Sequence, residues 1–212
     1  MKKAVIFDND GVLVDTEKLY FQAIKEVLAT QSVDLSLDTF IDSNIKSSKS
    51  AWHLCGKTGD ELKALKKIRN ERYTELLSEG DLTLPGVRKV LKELSENFRL
   101  CIVTTSRKVH FEAIHQWTDY LSLFEFVITV DDVQNSKPDP EPYLSALERL
   151  NLSAEDCFVV EDSYRGLKSA TSAGIDCIMV RNEYSKYQDF SEAFEVLDKI
   201  EELPLVLKEN EN

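Results

Sequence analysis

Five short apolar runs constrain this chain more than anything else in it: KAVIF (3–7), RLCIVT (99–104), FEFVITV (124–130), DCFVVE (156–161) and DCIMV (176–180). They are rich in Val and Ile and apolar nearly throughout, as strands covered on both faces should be. Helical patterns lie between the later runs, at 86–98, 108–121, 140–151 and 163–174. Pro140 suits a first helical turn and Gly174 a stop. Strands alternating with helices predict an α/β fold: a Rossmann-like parallel sheet with helices on both faces.

Residues 16–82 break the alternation. They show helical periodicity and no convincing strand, from TEKLYFQAIKEVLA to the charged GDELKALKKIRNERYTELLSEG. This predicts a small all-helical cap domain (16–82) inserted after the first strand of an α/β core (1–15 and 83–212). The acidic KENEN end is expected to fray.

Charge narrows the function. Over 212 residues the formal net charge is -12, with no basic run. Nucleic-acid binding needs Lys/Arg surfaces for counterion release, so no nucleic-acid partner is expected. An anionic substrate must then meet positive charge built locally. No stretch approaches the roughly 20 apolar residues of a membrane span, so no membrane partner is expected. Three of the four cysteines, Cys101, Cys157 and Cys177, lie inside strand-like runs and none forms C-x-x-C. Buried free thiols fit a cytoplasmic protein. The chain is expected to act as a monomer.

In an open parallel sheet, ligands bind beyond the carboxyl ends of the strands. The first run ends in Asp8 and Asp10, followed by Gly11. Alternation along a strand would place these two acids on one side and Asn9 on the other. The second run delivers Thr104, Thr105 and Ser106; the third is followed by Lys137; the fourth ends in Glu161 and Asp162. Acids, hydroxyls and one ammonium therefore converge. GKTG (56–59) imitates a phosphate loop, but no strand precedes it. His53, His110 and His115 have no partners at metal spacing and read as packed or surface residues.

FDNDGVLVDTE, IVTTS, SKPDPEPY and VVEDSYRG resemble, in order and spacing, the four motifs of the haloacid dehalogenase-like hydrolase superfamily. Within it the chain is similar to helical-cap phosphatases and beta-phosphoglucomutases. The resemblance implies a phosphatase that needs Mg2+ and acts on a small phosphorylated metabolite such as a sugar phosphate. Its Mg2+ ligands would be Asp8, the Asp10 carbonyl and Asp162, with Glu161 joining directly or through water. Asp8 would be the nucleophile that becomes an aspartyl-phosphate, and Asp10 the general acid and then base. Lys137 and Thr104 would bind the phosphoryl group, aided by backbone N–H groups at Gly11, Thr105 and Ser106. Ser163 and Arg165 read as capping and shaping residues. Cap candidates for the rest of the substrate are Tyr20, Lys46, Ser47 and Lys49. The mutases resembled usually carry a His near the position of Tyr20, so its absence favours hydrolysis. The alternatives are a beta-phosphoglucomutase-type phosphotransferase and a non-catalytic phosphate-ligand sensor.

Overall fold

The computed structural model of the chain describes residues 2–45 and 50–209. The described chain falls into two compact units, one running to Asp15 and resuming at Asp81, the other Thr16–Gly80.

The first unit is built on six parallel strands: β1 (Ala4–Phe7), β2 (Arg99–Val103), β3 (Val127–Ile128), β4 (Cys157–Glu161), β5 (Asp176–Val180) and β6 (Glu195–Leu197). Their order is β3-β2-β1-β4-β5-β6. The most apolar strand, β1, is central, with Ile6 opposite Cys101 on one side and Val159 on the other. Ala4 and Ile6 join one buried cluster with Tyr143, Ala146, Leu167 and Ala170, which come from α6 (Glu141–Leu150) and α7 (Tyr164–Ser172). Val5 and Phe7, on the other face, are equally inaccessible. Both faces of the sheet are therefore covered, which is why these strands carry no polar alternation. Cys101, Cys157 and Cys177 are buried free thiols.

β3 is much shorter than the apolar run 124–130 suggests. The Thr129 N–H and hydroxyl both donate to Asp132 Oδ2, at 2.8 and 2.7 Å, and this capping box bends the chain out of the sheet. β6 was not expected at all; with only Val196 and Leu197 apolar in Glu195–Leu197, it carries too little pattern. Where the chain leaves and re-enters this unit, Val14 bridges antiparallel to Thr83, and the Asp15 N–H donates to the Leu82 carbonyl at 2.9 Å.

The second unit is helical: α1 (Glu17–Ala29), α2 (Leu37–Phe40) and α3 (Gly59–Leu77), with short irregular turns between. α1 packs on α3, burying Ala23, Ile24, Val27 and Leu28 on one side and Leu65, Tyr73 and Leu76 on the other. Among the described residues no helix is long and apolar enough to cross a membrane.

Candidate active site

β1, β2 and β4 end at the same level of the sheet, and the polar residues beyond them meet. Lys137 lies in the loop before α6 and is almost wholly buried. Its Nζ donates to Asp8 Oδ1 at 2.6 Å, Glu161 Oε1 at 2.7 Å and the Val103 carbonyl at 2.8 Å. Its three N–H bonds are thus spent on three acceptors. Arg165 donates to the Lys137 carbonyl and fixes the loop from behind.

Glu161 is completely buried. Its Oε1 accepts from Lys137 and from the Tyr143 hydroxyl at 2.9 Å. Its Oε2 accepts from the N–H groups of Asp162 and Ser163 and from the Ser163 hydroxyl. Ser163 also caps α7, accepting from the Gly166 N–H. The carboxylate presses on the helix: a methyl group on Gly166 would lie 1.8 Å from it. Gly166→Ala, normally stabilising in a helix, is therefore expected to destabilise by about 1–3 kcal/mol, read from the urea midpoint. An unchanged or raised midpoint would refute the crowding.

Asp10 is half-buried. Its Oδ2 accepts from Ser106 Oγ at 2.8 Å, Thr104 Oγ1 at 3.2 Å and Asn9 Nδ2 at 3.3 Å. Two expectations need correction here. Asn9 does not point away from the acids, because regular strand geometry stops at Phe7 and the Asn9 carbonyl accepts the Leu13 N–H at 2.8 Å. Nor are the expected phosphate-binding N–H groups at Gly11 and Ser106 on offer: Gly11 donates to the Val14 carbonyl at 2.8 Å, and Ser106 to Thr104 Oγ1 at 3.0 Å. Thr105 is exposed. Gly11 instead serves closeness. Its φ is +80°, and a side-chain carbon there would lie 2.1 Å from Asp162 Oδ2.

Two contributors went unnoticed in the sequence. Asn182 Nδ2 donates to Asp162 Oδ2 at 2.6 Å, while its Oδ1 accepts from the N–H groups of Tyr184 and Ser185. It stands two residues beyond β5, so the strand-end rule applied to the fifth strand would have found it. Tyr143 is the last residue of SKPDPEPY. Of the cap candidates, Tyr20 packs its ring against Phe40 and Tyr73 with the Arg69 guanidinium 4.5 Å above it. Lys46, Ser47 and Lys49 lie outside the described residues.

Asp8, Glu161 and Asp162 can each offer an oxygen within 4.8 Å of the others. Of these three buried carboxylates, the buried ammonium bonds Asp8 and Glu161. Burial pushes the Asp8 carboxyl up to about 8; Lys137 opposes this, and the charges of Glu161 and Asp10 reinforce it. Burial works against the Lys137 ammonium too, but Asp8 and Glu161 outweigh it and keep the group charged. An all-oxygen set with excess negative charge fits a hard dication such as Mg2+.

A parallel sheet that gathers acids, hydroxyls and a buried ammonium beyond its strand ends is the architecture of an α/β enzyme. Residues 5–180 match the haloacid dehalogenase-like hydrolase family, and the chain belongs to that family of enzymes. It is 32% identical to protein CbbY of Rhodobacter capsulatus over 205 residues, covering 90% of each. It is 36% identical to the phosphorylated carbohydrates phosphatase of Thermotoga maritima, covering 98% of this chain and 99% of that one. Among solved structures, a CbbY variant from Rhodobacter sphaeroides in complex with xylulose-(1,5)bisphosphate superposes with a TM-score of 0.80 at 28% identity, over 96% of both chains.

Proposed function

We propose that this chain is a Mg2+-dependent phosphatase that hydrolyses a small phosphorylated metabolite, a sugar phosphate or a close analogue, through an aspartyl-phosphate at Asp8. One observation carries the reading: a nucleophile-capable carboxylate is clamped at 2.6 Å by a buried lysine, and the second acid of the D-x-D is held separately by hydroxyls. The names of the relatives, a phosphatase of phosphorylated carbohydrates and a protein bound to a sugar bisphosphate, support the substrate class.

Asp8 attacks phosphorus while the bond from phosphorus to the leaving oxygen breaks, and Asp10 gives that oxygen its proton. A water then attacks the same phosphorus, Asp10 takes the water's proton, and Asp8 leaves as a carboxylate. Lys137 offsets charge on Asp8 and on the phosphoryl oxygens. Thr104, whose hydroxyl here faces Asp10, turns to the phosphoryl group when one is bound. Asp8, the Asp10 carbonyl and Asp162 would hold Mg2+, and Glu161, with both oxygens already accepting hydrogen bonds, would act through water. The ion supplies positive charge against the repulsion between a phosphate dianion and the acids. We read Thr16–Gly80 as the cap that recognises the rest of the substrate, and the protein as a cytoplasmic monomer.

The test is phosphate release from p-nitrophenyl phosphate and a panel of sugar phosphates, with Mg2+ and with EDTA. Mg2+-dependent release of inorganic phosphate is expected. Conversion of one sugar phosphate into an isomer without release would favour the phosphotransferase, and no turnover under any condition would favour a sensor. Asp162→Asn is expected to raise the Mg2+ concentration needed for half-maximal activity about 10–100-fold and to lose the Mg2+-induced rise in Tm. An unchanged metal requirement would remove Asp162 from the ligand set.

A further inference from the structure

Asn9 stands between the nucleophile and the acid, is wholly buried, and has no part in the reaction described above. Its amide is fixed at both ends. Asp10 Oδ2 can only accept from the amide when ionised, so the atom 3.3 Å from it is Nδ2. Asn9 Oδ1 then faces His115 Nε2 at 2.8 Å, and must accept from it. Burial pushes the His115 imidazole down to about 4, against the pull of Asp10 and Asp81, so the ring is neutral at neutral pH and carries one N–H. That hydrogen sits on Nε2, which leaves Nδ1 as an acceptor facing Thr118 Oγ1 at 3.0 Å, a hydroxyl whose single hydrogen also reaches the His115 carbonyl at 3.2 Å.

Thr104, Ser106 and Asn9 are not equivalent as donors to Asp10 Oδ2. The hydroxyls of Thr104 and Ser106 can rotate their hydrogens to other acceptors. The planar amide cannot, once His115 holds its far end. A proton donor must be held to within about 0.5 Å of its productive geometry. We propose that Thr118, His115 and Asn9 form a positioning chain that fixes the Asp10 carboxyl for proton transfer, with His115 as its central positioning residue. Oδ2 is the end that the amide holds, and Oδ1 carries the proton. In the first step the Oδ1–H bond breaks, the proton passes to the leaving oxygen, and that oxygen keeps the electron pair of the broken phosphorus–oxygen bond.

The inference rests on the phosphatase reading and on Asp10 as the acid. It is tested with two aryl esters that differ in how much they need an acid. p-Nitrophenolate leaves readily without a proton, whereas phenolate does not. In a covalent mechanism kcat/KM covers only the steps up to leaving-group release, so the later water attack does not enter. His115→Leu is expected to lower kcat/KM on phenyl phosphate by about 10–100-fold and on p-nitrophenyl phosphate by less than about three-fold, since general-acid help is worth 10²–10⁴ at most. His115→Gln, which keeps an N–H at similar reach, is expected to restore most of the loss. Should His115→Leu fail to fold, Thr118→Val, which removes the outermost link, is expected to show the same selectivity at a few-fold. Equal losses on both esters in a folded variant would make His115 a packing residue and overturn the inference alone. A wild-type protein that releases phosphate from neither aryl ester nor any sugar phosphate would overturn the phosphatase reading, and this inference with it.

Discussion

Asp8→Asn is expected to lower kcat by about 10⁴–10⁶-fold and to leave the protein folded. An amide at this position can still accept a hydrogen bond from Lys137, which also keeps Glu161 at 2.7 Å and the Val103 carbonyl at 2.8 Å. The variant also replaces a carboxyl whose anionic form burial already disfavours, so the fold tolerates the change as the chemistry of the site disappears. A carboxamide oxygen is a far weaker nucleophile toward phosphorus, and no neighbour compensates: Glu161 has both oxygens engaged by five donors, and the Asp10 Oδ2 is held by three. The prediction is checked by steady-state turnover together with acid-quench trapping of an acyl-phosphate, which wild type should accumulate and the variant should not. Turnover near the wild-type rate, or an acyl-phosphate that survives the substitution, would remove Asp8 from the role of nucleophile.

How far the sequence reaches depends on where the physical signal lies. The buried strands β1, β2, β4 and β5 are legible because a strand covered on both faces must be apolar at every position. β3 is overestimated because an apolar run does not report where a capping box bends it, and β6 is missed because an edge strand needs few apolar residues. The residues of the site are legible through one rule, that ligands gather beyond the carboxyl ends of parallel strands. Their hydrogen bonds are not. Alternation predicts the face of a side chain only while the chain remains a strand, and β1 ends one residue before Asp8. Asn9 is therefore expected on the wrong side of the chain, and the N–H groups of Gly11 and Ser106 are spent on bonds inside their loops that the sequence does not show. His115 offers no local signal, since its partner lies 106 residues away and a histidine on the apolar side of a helix reads as core.

Lys137→Met is expected to damage stability as well as catalysis, and the two losses should respond differently to metal. Methionine fills the tunnel of the lysine stem but leaves Asp8 and Glu161 buried without their shared cation, and the Val103 carbonyl without its donor. Breaking a buried ion pair from one side costs about 3–5 kcal/mol, more than the transfer of the side chain itself. Urea unfolding in EDTA should show that loss. On the proposed ligand set Mg2+ would bind the folded acids and not the unfolded chain, so adding it should recover part of the stability by mass action. It should not recover the rate. Lys137 holds Oδ1 of Asp8 and Oε1 of Glu161, whereas Asp162 is held by Asn182 from the side of β5. An ion held by Asp8, the Asp10 carbonyl and Asp162 would thus supply charge without replacing the directed N–H bonds of the lysine. Charge alone does not orient a phosphoryl group as a fixed N–H donor does, and kcat/KM should stay about 10²–10⁴-fold below wild type at saturating Mg2+. If Mg2+ restores stability and rate together, Lys137 contributes only charge and not position. If the urea midpoint in EDTA does not move at all, the lysine offsets no charge on Glu161 or Asp8 and the electrostatic account of the site fails.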